Sequence, residues 1–113
     1  ALAKAGADIL LSPAAFTPVT GVAHWEPLLR ARAIETGCFV LAAGQTGTHA
    51  ATTENSRTTY GHSLVVSPWG EVLADAGTGI GITIVDLDLA EVAQARQRIP
   101  ALSHDASFSD PDE

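Results

Sequence analysis

Methionine is absent from the 113 residues, cysteine occurs once, and lysine and arginine together number six. One cysteine excludes an internal disulfide and makes the cytoplasm the plainest compartment. Six basic residues against thirteen acidic ones leave a net charge of −7. That balance argues against nucleic acid and anionic membrane surfaces as partners, because both need clustered cations; only Arg30–Arg32 and Arg96–Arg98 lie close together. No apolar run approaches the roughly 20 residues that span a bilayer, and nothing at the start resembles a signal peptide. Without methionine, and opening on "ALAKAGADILLSP", the chain is expected to begin inside a longer protein. Charge is also scarce. At 17% charged and 46% apolar residues, more surface than usual is expected to be covered by something else. A chain of this length buries about two-thirds of its unfolded surface by itself.

What is present is an alternation of short apolar runs and one helical period. "ALAKAG" reads as a last helical turn with a glycine stop, and Asp8–Ser12 as a buried strand ended by Pro13. "PAAFTPVTG" is loop. A helix is expected over 24–36, with Trp25, Leu28, Leu29, Arg32 and Thr36 on one face, Pro27 in its first turn and Gly37 as its stop. "CFVLAAGQ" then gives a second buried strand. Strand, helix and strand in about 37 residues form a βαβ unit, which predicts parallel strands. Residues 46–61 are polar and aperiodic, a loop. "HSLVVSPWGEVLADAG" reads as a hairpin turned at Pro68–Gly70, and "GIGITIVDLD" as a further strand. Asp88 and Glu91 match a capping box, and the helix behind it carries Leu89, Val92, Ala93, Arg96 and Ile99 up to Pro100. The end, "SHDASFSDPDE", is acidic and loose.

No complete catalytic set emerges from these residues. Cys38 follows a helix C-terminus, the wrong end of the dipole for a thiolate, and packs well as a small hydrophobe. His24, His49, His62 and His104 lack the spacing of a helical zinc site, so no metal is expected. "GHS" at 61–63 is no nucleophile elbow, since a strand follows it. "GTGIG" at 77–81 precedes a strand and therefore forms a turn, not a phosphate cradle. Glu26, beside His24, suits a helix start.

Three stretches in order, "GADILLSPAAFTPVTGVAHWEPLLRARAIETGCFVLAAGQTG", "YGHSLVVSPWGEVLADAG" and "VDLDLAEVAQARQRIP", resemble the C-terminal half of the nitrilase superfamily, the carbon–nitrogen hydrolases. They are nearest the branch of small amidases that includes omega-amidase and deaminated-glutathione amidase. The resemblance implies an α/β fold, part of a four-layer α-β-β-α sandwich with mixed sheet strands and two main helices. Residues 1–105 would be the C-terminal portion of the hydrolase domain and 106–113 an acidic flexible tail.

The family hydrolyses non-peptide C–N bonds with a Glu–Lys–Cys triad: the thiolate forms an acyl-enzyme that water releases, the Glu acts as base and the Lys steadies the oxyanion. By the same resemblance the nucleophile lies about a dozen residues before Ala1, with the Glu and Lys further upstream. Cys38 then occupies a non-catalytic strand position, and no catalytic residue is expected in this chain. Phe16, Thr17, His24 and Gln45 are the substrate-binding candidates, although Phe16 fits a core equally well and Thr17 and Gln45 also suit loop backbone. Arg32 is expected to pair with a buried carboxylate, Glu35 or one outside the chain. The expected function is that of an inactive C-terminal fragment of an amidase acting on a small linear amide, without cofactor, and a homodimer or larger homo-oligomer when complete. The alternative is a non-catalytic nitrilase-like subunit or dimerisation module that pairs through the helix at 24–36.

Overall fold

The computed structural model describes residues 1–50 and 56–111. Expectations for 51–55, within the polar stretch, and for 112–113 of the tail lie outside the described residues. Strand β1 spans Ile9–Leu11. A helical path follows, made of α1 (Pro18–Thr20), a π turn (Gly21–Trp25) and α2 (Glu26–Thr36). Then come β2 (Phe39–Ala42), β3 (Thr46–His49), β4 (Arg57–Tyr60), β5 (Leu64–Val66), β6 (Val72–Asp75), α3 (Ala90–Arg98) and a 3₁₀ turn (Ala101–Ser103).

Strands β1, β2, β5 and β6 form one sheet in that order. The expected βαβ unit is there: β1 and β2 run parallel, with Ile9 opposite Phe39 and Leu11 opposite Leu41. β5 joins β2 antiparallel and β6 joins β5 antiparallel, so the sheet is mixed. Gly37 ends α2 in the left-handed conformation at φ 61°, and its N–H donates to the Ala33 carbonyl. That is the αL helix stop for which glycine carries no Cβ penalty.

Alternation along the strands sends neighbours to opposite faces. One face, with Val40, Ala42, Leu64 and Val66, packs on Trp25, Leu29 and Ala33 of the helical path, and all seven are buried. Leu10, Phe16 and Tyr60 pack at the margin of this cluster. The opposite face carries a register row of Leu11, Leu41, Val65 and Ala74. Among the described residues no helix covers that row; Leu11 is 74% exposed and the other three are half-buried. The expectation that both faces of β1 are covered is therefore met on one face only.

Four further expectations are corrected. The expected helix is α2, with Pro27 in its first turn, but the helical path extends upstream of 24 to Pro18. A proline with helix before it clashes with the carbonyl four residues back. The turn just before it, Gly21–Trp25, is widened to π geometry, which relieves that clash. Within 46–61, β3 and β4 pair as an antiparallel ribbon, with Thr46 opposite Tyr60 and His49 opposite Arg57; threonine favours strands even where both faces are polar. By contrast, 79–88 forms no strand. An extended segment needs a ladder partner, and among the described residues it has none; Ile80, Ile82 and Ile84 stand exposed. Finally, the Asp88 carboxylate accepts from the N–H of Ala90, two residues on, instead of closing a box with Glu91. Arg32 does pair with Glu35, at 2.8 Å, but on the exposed side of α2. Residues 103–111 are exposed.

Arg96 of α3 ties these parts together. Its Nε donates to the Thr36 carbonyl (3.1 Å), one of the helix-end carbonyls left without an intrahelical partner, and its Nη2 to the Ala7 carbonyl (2.8 Å). Nη1 lies 3.4 Å from the Asp8 carboxylate. Arg96→Ala leaves these carbonyls, in a part-buried site, with only the weak Cys38 thiol as donor. We expect it to lower unfolding free energy by about 2 kcal/mol, and Arg96→Lys, with no planar fork, to recover less than half. Denaturant melts of the three proteins check this; a loss below about 0.5 kcal/mol for Arg96→Ala would place it among ordinary surface changes.

Candidate functional site

Because β1 and β2 are parallel, their C-terminal ends open on the same edge, where α/β sites gather. There the chain is knit by backbone. Ala14 N–H donates to Ala43 O, Gln45 N–H to Ala14 O, Gly61 N–H to Gln45 O and Tyr60 N–H to Phe16 O, all at 2.9–3.0 Å. Gly44 permits the close approach: a Cβ there would lie 2.4 Å from the Gly61 carbonyl oxygen. Its N–H donates to the Ser63 hydroxyl at 3.0 Å.

From this edge a groove of about 460 Å³ runs over the open face of the sheet, past Leu11, Ser12, Leu41, Ser63, Val65 and Thr83. Among the described residues its polar side chains are hydroxyls, and no thiol, lysine, histidine or carboxylate lines it. Such a surface can bind and orient a ligand, but it supplies no nucleophile and no proton-transfer group. Among the described residues, no cluster of three His, Cys, Asp or Glu could hold a metal ion, and no helix is long and apolar enough to cross a membrane.

None of the four candidate binding residues is among those that line the groove. The Phe16 ring meets Trp25 edge-to-face at 4.9 Å, at the margin of the core. Thr17 caps α1, its Oγ1 accepting from Thr20 N–H. His24 is exposed on the π turn, and Gln45 is exposed behind the end of β2. The backbone network brings Phe16, Thr17 and Gln45 to one rim, and His24 sits one residue before Trp25. Cys38 is fully buried, and its thiol donates to the Ala7 carbonyl at 3.3 Å. The sequence offers no cation near it, but folding sets Arg96 Nη2 3.2 Å from its sulfur.

Two residues of the rim region escape a motif search. His62 and Asp75 bond side chain to side chain at 3.0 Å. The signal is the hairpin register: a turn at Pro68–Gly70 that sets Leu64 opposite Asp75 also brings His62 opposite Gly77.

The close approach at Gly44 is testable. Gly44→Ala forces backbone against backbone and should cost roughly 2 kcal/mol or more. Gly79→Ala, where a Cβ meets nothing within 4 Å, should change stability by less than about 0.5 kcal/mol. Thermal melts decide, and equal losses would refute the steric reading.

The carbon–nitrogen hydrolase family matches residues 1–97. The chain is 52% identical over 103 residues to deaminated glutathione amidase of Rattus norvegicus, covering 91% of this chain and 30% of that protein. It is 47% identical over 103 residues to the deaminated glutathione amidase of Synechocystis, covering 91% of this chain and 36% of the relative. It therefore spans about a third of the length of these relatives. The crystal structure of the C. elegans NitFhit protein matches 91% of this chain with 24% of its own, at TM-score 0.82 and 48% identity. Saccharomyces cerevisiae Nit3, a member of the nitrilase superfamily, matches 90% of this chain with 36% of its own, at TM-score 0.77 and 33% identity. With its mixed sheet, its two main helices and a family match over most of its length, the chain belongs to the carbon–nitrogen hydrolases of the nitrilase superfamily.

Proposed function

We propose that these residues form the rear portion of an amidase that hydrolyses a small linear amide through a cysteine acyl-enzyme, the reacting Cys, Lys and Glu being carried by a portion outside them. In this reading residues 1–105 belong to the hydrolase domain and 106–113 trail from it. One observation carries it: the apolar row Leu11–Leu41–Val65–Ala74 lies open beside a groove that holds no nucleophile. An uncovered apolar sheet face calls for another layer. A second sheet laid on it, with its own helices outside, completes a four-layer α-β-β-α sandwich. The groove, with its rim residues Phe16, Thr17, His24 and Gln45, then becomes one wall of the substrate pocket. The names of the relatives, amidases of a deaminated tripeptide, support an amide as substrate.

A homo-oligomer fits the outer side of the helical path, where Val19 and Val22 are 82% and 74% exposed and Leu28 and Ile34 about half. Exposed apolar residues at this spacing favour an isologous helix pairing. The same surface is what the non-catalytic subunit reading would use.

Ammonia release from a panel of small linear amides, deaminated glutathione among them, tests the assignment. The chain alone should give none above the uncatalysed rate, whereas its fusion behind the front two-thirds of the Synechocystis relative should turn over amide. Turnover by the chain alone, abolished by Cys38→Ser, would overturn the proposal. An inactive fusion that folds would favour the non-catalytic subunit.

A further inference from the structure

His62 is the one residue other than glycine in the left-handed region among the described residues, at φ 56°. That conformation costs of order 1–3 kcal/mol and persists only where the surroundings over-determine it. Here they do, from four directions. The imidazole stacks on Tyr60 at 4.3 Å. Nδ1 lies 3.0 and 3.1 Å from the two Asp75 carboxylate oxygens. The His62 N–H donates to Gly77 O at 2.8 Å, and its carbonyl accepts from the buried Trp25 indole at 2.7 Å. Asp75 in turn accepts from Gly77 N–H at 2.8 Å. A glycine would take up this φ without strain, so the histidine is there for its ring.

The ring grips the two segments that form one side of the groove. Ser63, Leu64 and Val65 follow His62 directly, and Ala76 follows Asp75; all four line the groove. Ser63 reaches across to the end of β2 through the Gly44 N–H, and its carbonyl accepts from Ala76 N–H at 2.9 Å.

We propose that His62 and Asp75 are a pair of positioning residues for the groove, fixing the hairpin base so that the Ser63 hydroxyl and the Gly44 amide keep their places. The inference rests on the reading of the groove as a wall of an amidase pocket.

Hydrogen exchange followed by mass spectrometry on the full chain tests this. The reporters are the Gly44 and Ala76 amides, neither of which bonds to the altered side chains. In Asp75→Asn and in His62→Gly both amides should exchange at least tenfold faster than in the wild type, while the α2 amides around Leu29 and Ala33 do not change. If His62 merely fills a turn, His62→Gly protects both amides as well as the wild type does, and the proposal fails. Equal protection of both amides in Asp75→Asn also overturns it. An amide-release result that sinks the amidase reading leaves this exchange pattern untouched, so the two failures are separable.

Discussion

The packing of Trp25, Leu29 and Ala33 across Val40, Ala42, Leu64 and Val66 turns four short strands into a sheet with a dry side. Each fully buried large side chain in that layer contributes roughly 1.5–3 kcal/mol, and among the described residues this is the cluster in which buried side chains gather. The layer also fixes the strand registers, because a one-residue slip would turn every inward side chain outward. From this follows the open row on the other side: the alternation that buries Val40 and Val66 sends Leu41 and Val65 away from the helix. The chain is thus built around a sheet that is apolar on both faces and covered on one.

Two devices hold this layer to its surroundings. Arg96 bridges α3 to the end of α2 and to the approach to β1 by donating to the Thr36 and Ala7 carbonyls. At the opposite end of the sheet, His62 and Asp75 hold the hairpin base against the ends of β1 and β2 through Ser63 and Gly44. One clamp sits at the end of α2, and the other stands beside the groove. The buried sulfur of Cys38 belongs with the first clamp.

Local signals made much of this readable in the sequence. Gly37 after a helical period, and two apolar runs on either side of it, suffice for the parallel β1–β2 pair; Pro68 and Gly70 suffice for the β5–β6 hairpin. The misses have physical causes. Pro27 argues against helix upstream, and only the widened turn from Gly21 reconciles it with the helical path. The β3–β4 ribbon is polar on both faces, so alternation of hydropathy could not mark it. The 79–88 segment has strand composition, but composition does not provide a ladder partner. Phe16, Thr17 and Gln45 are candidates through the family resemblance and their place after the strands, and backbone bonds from Tyr60 to Phe16 and from Gly61 to Gln45 set two of them side by side. The Arg96–Cys38 contact joins residues 58 apart with no spacing to announce it, and the His62–Asp75 pair needs the hairpin register first.

The central claim is that the face carrying Leu11 is made to be covered, and the molar mass of the chain alone in solution, by light scattering, tests it most directly when measured for the wild type and for Leu11→Glu. The account predicts a self-associating wild type and a Leu11→Glu variant of monomer mass that keeps its folded circular dichroism. A wild type that is monomeric at all concentrations, or a Leu11→Glu variant that unfolds because that residue belongs to a closed core, would contradict it.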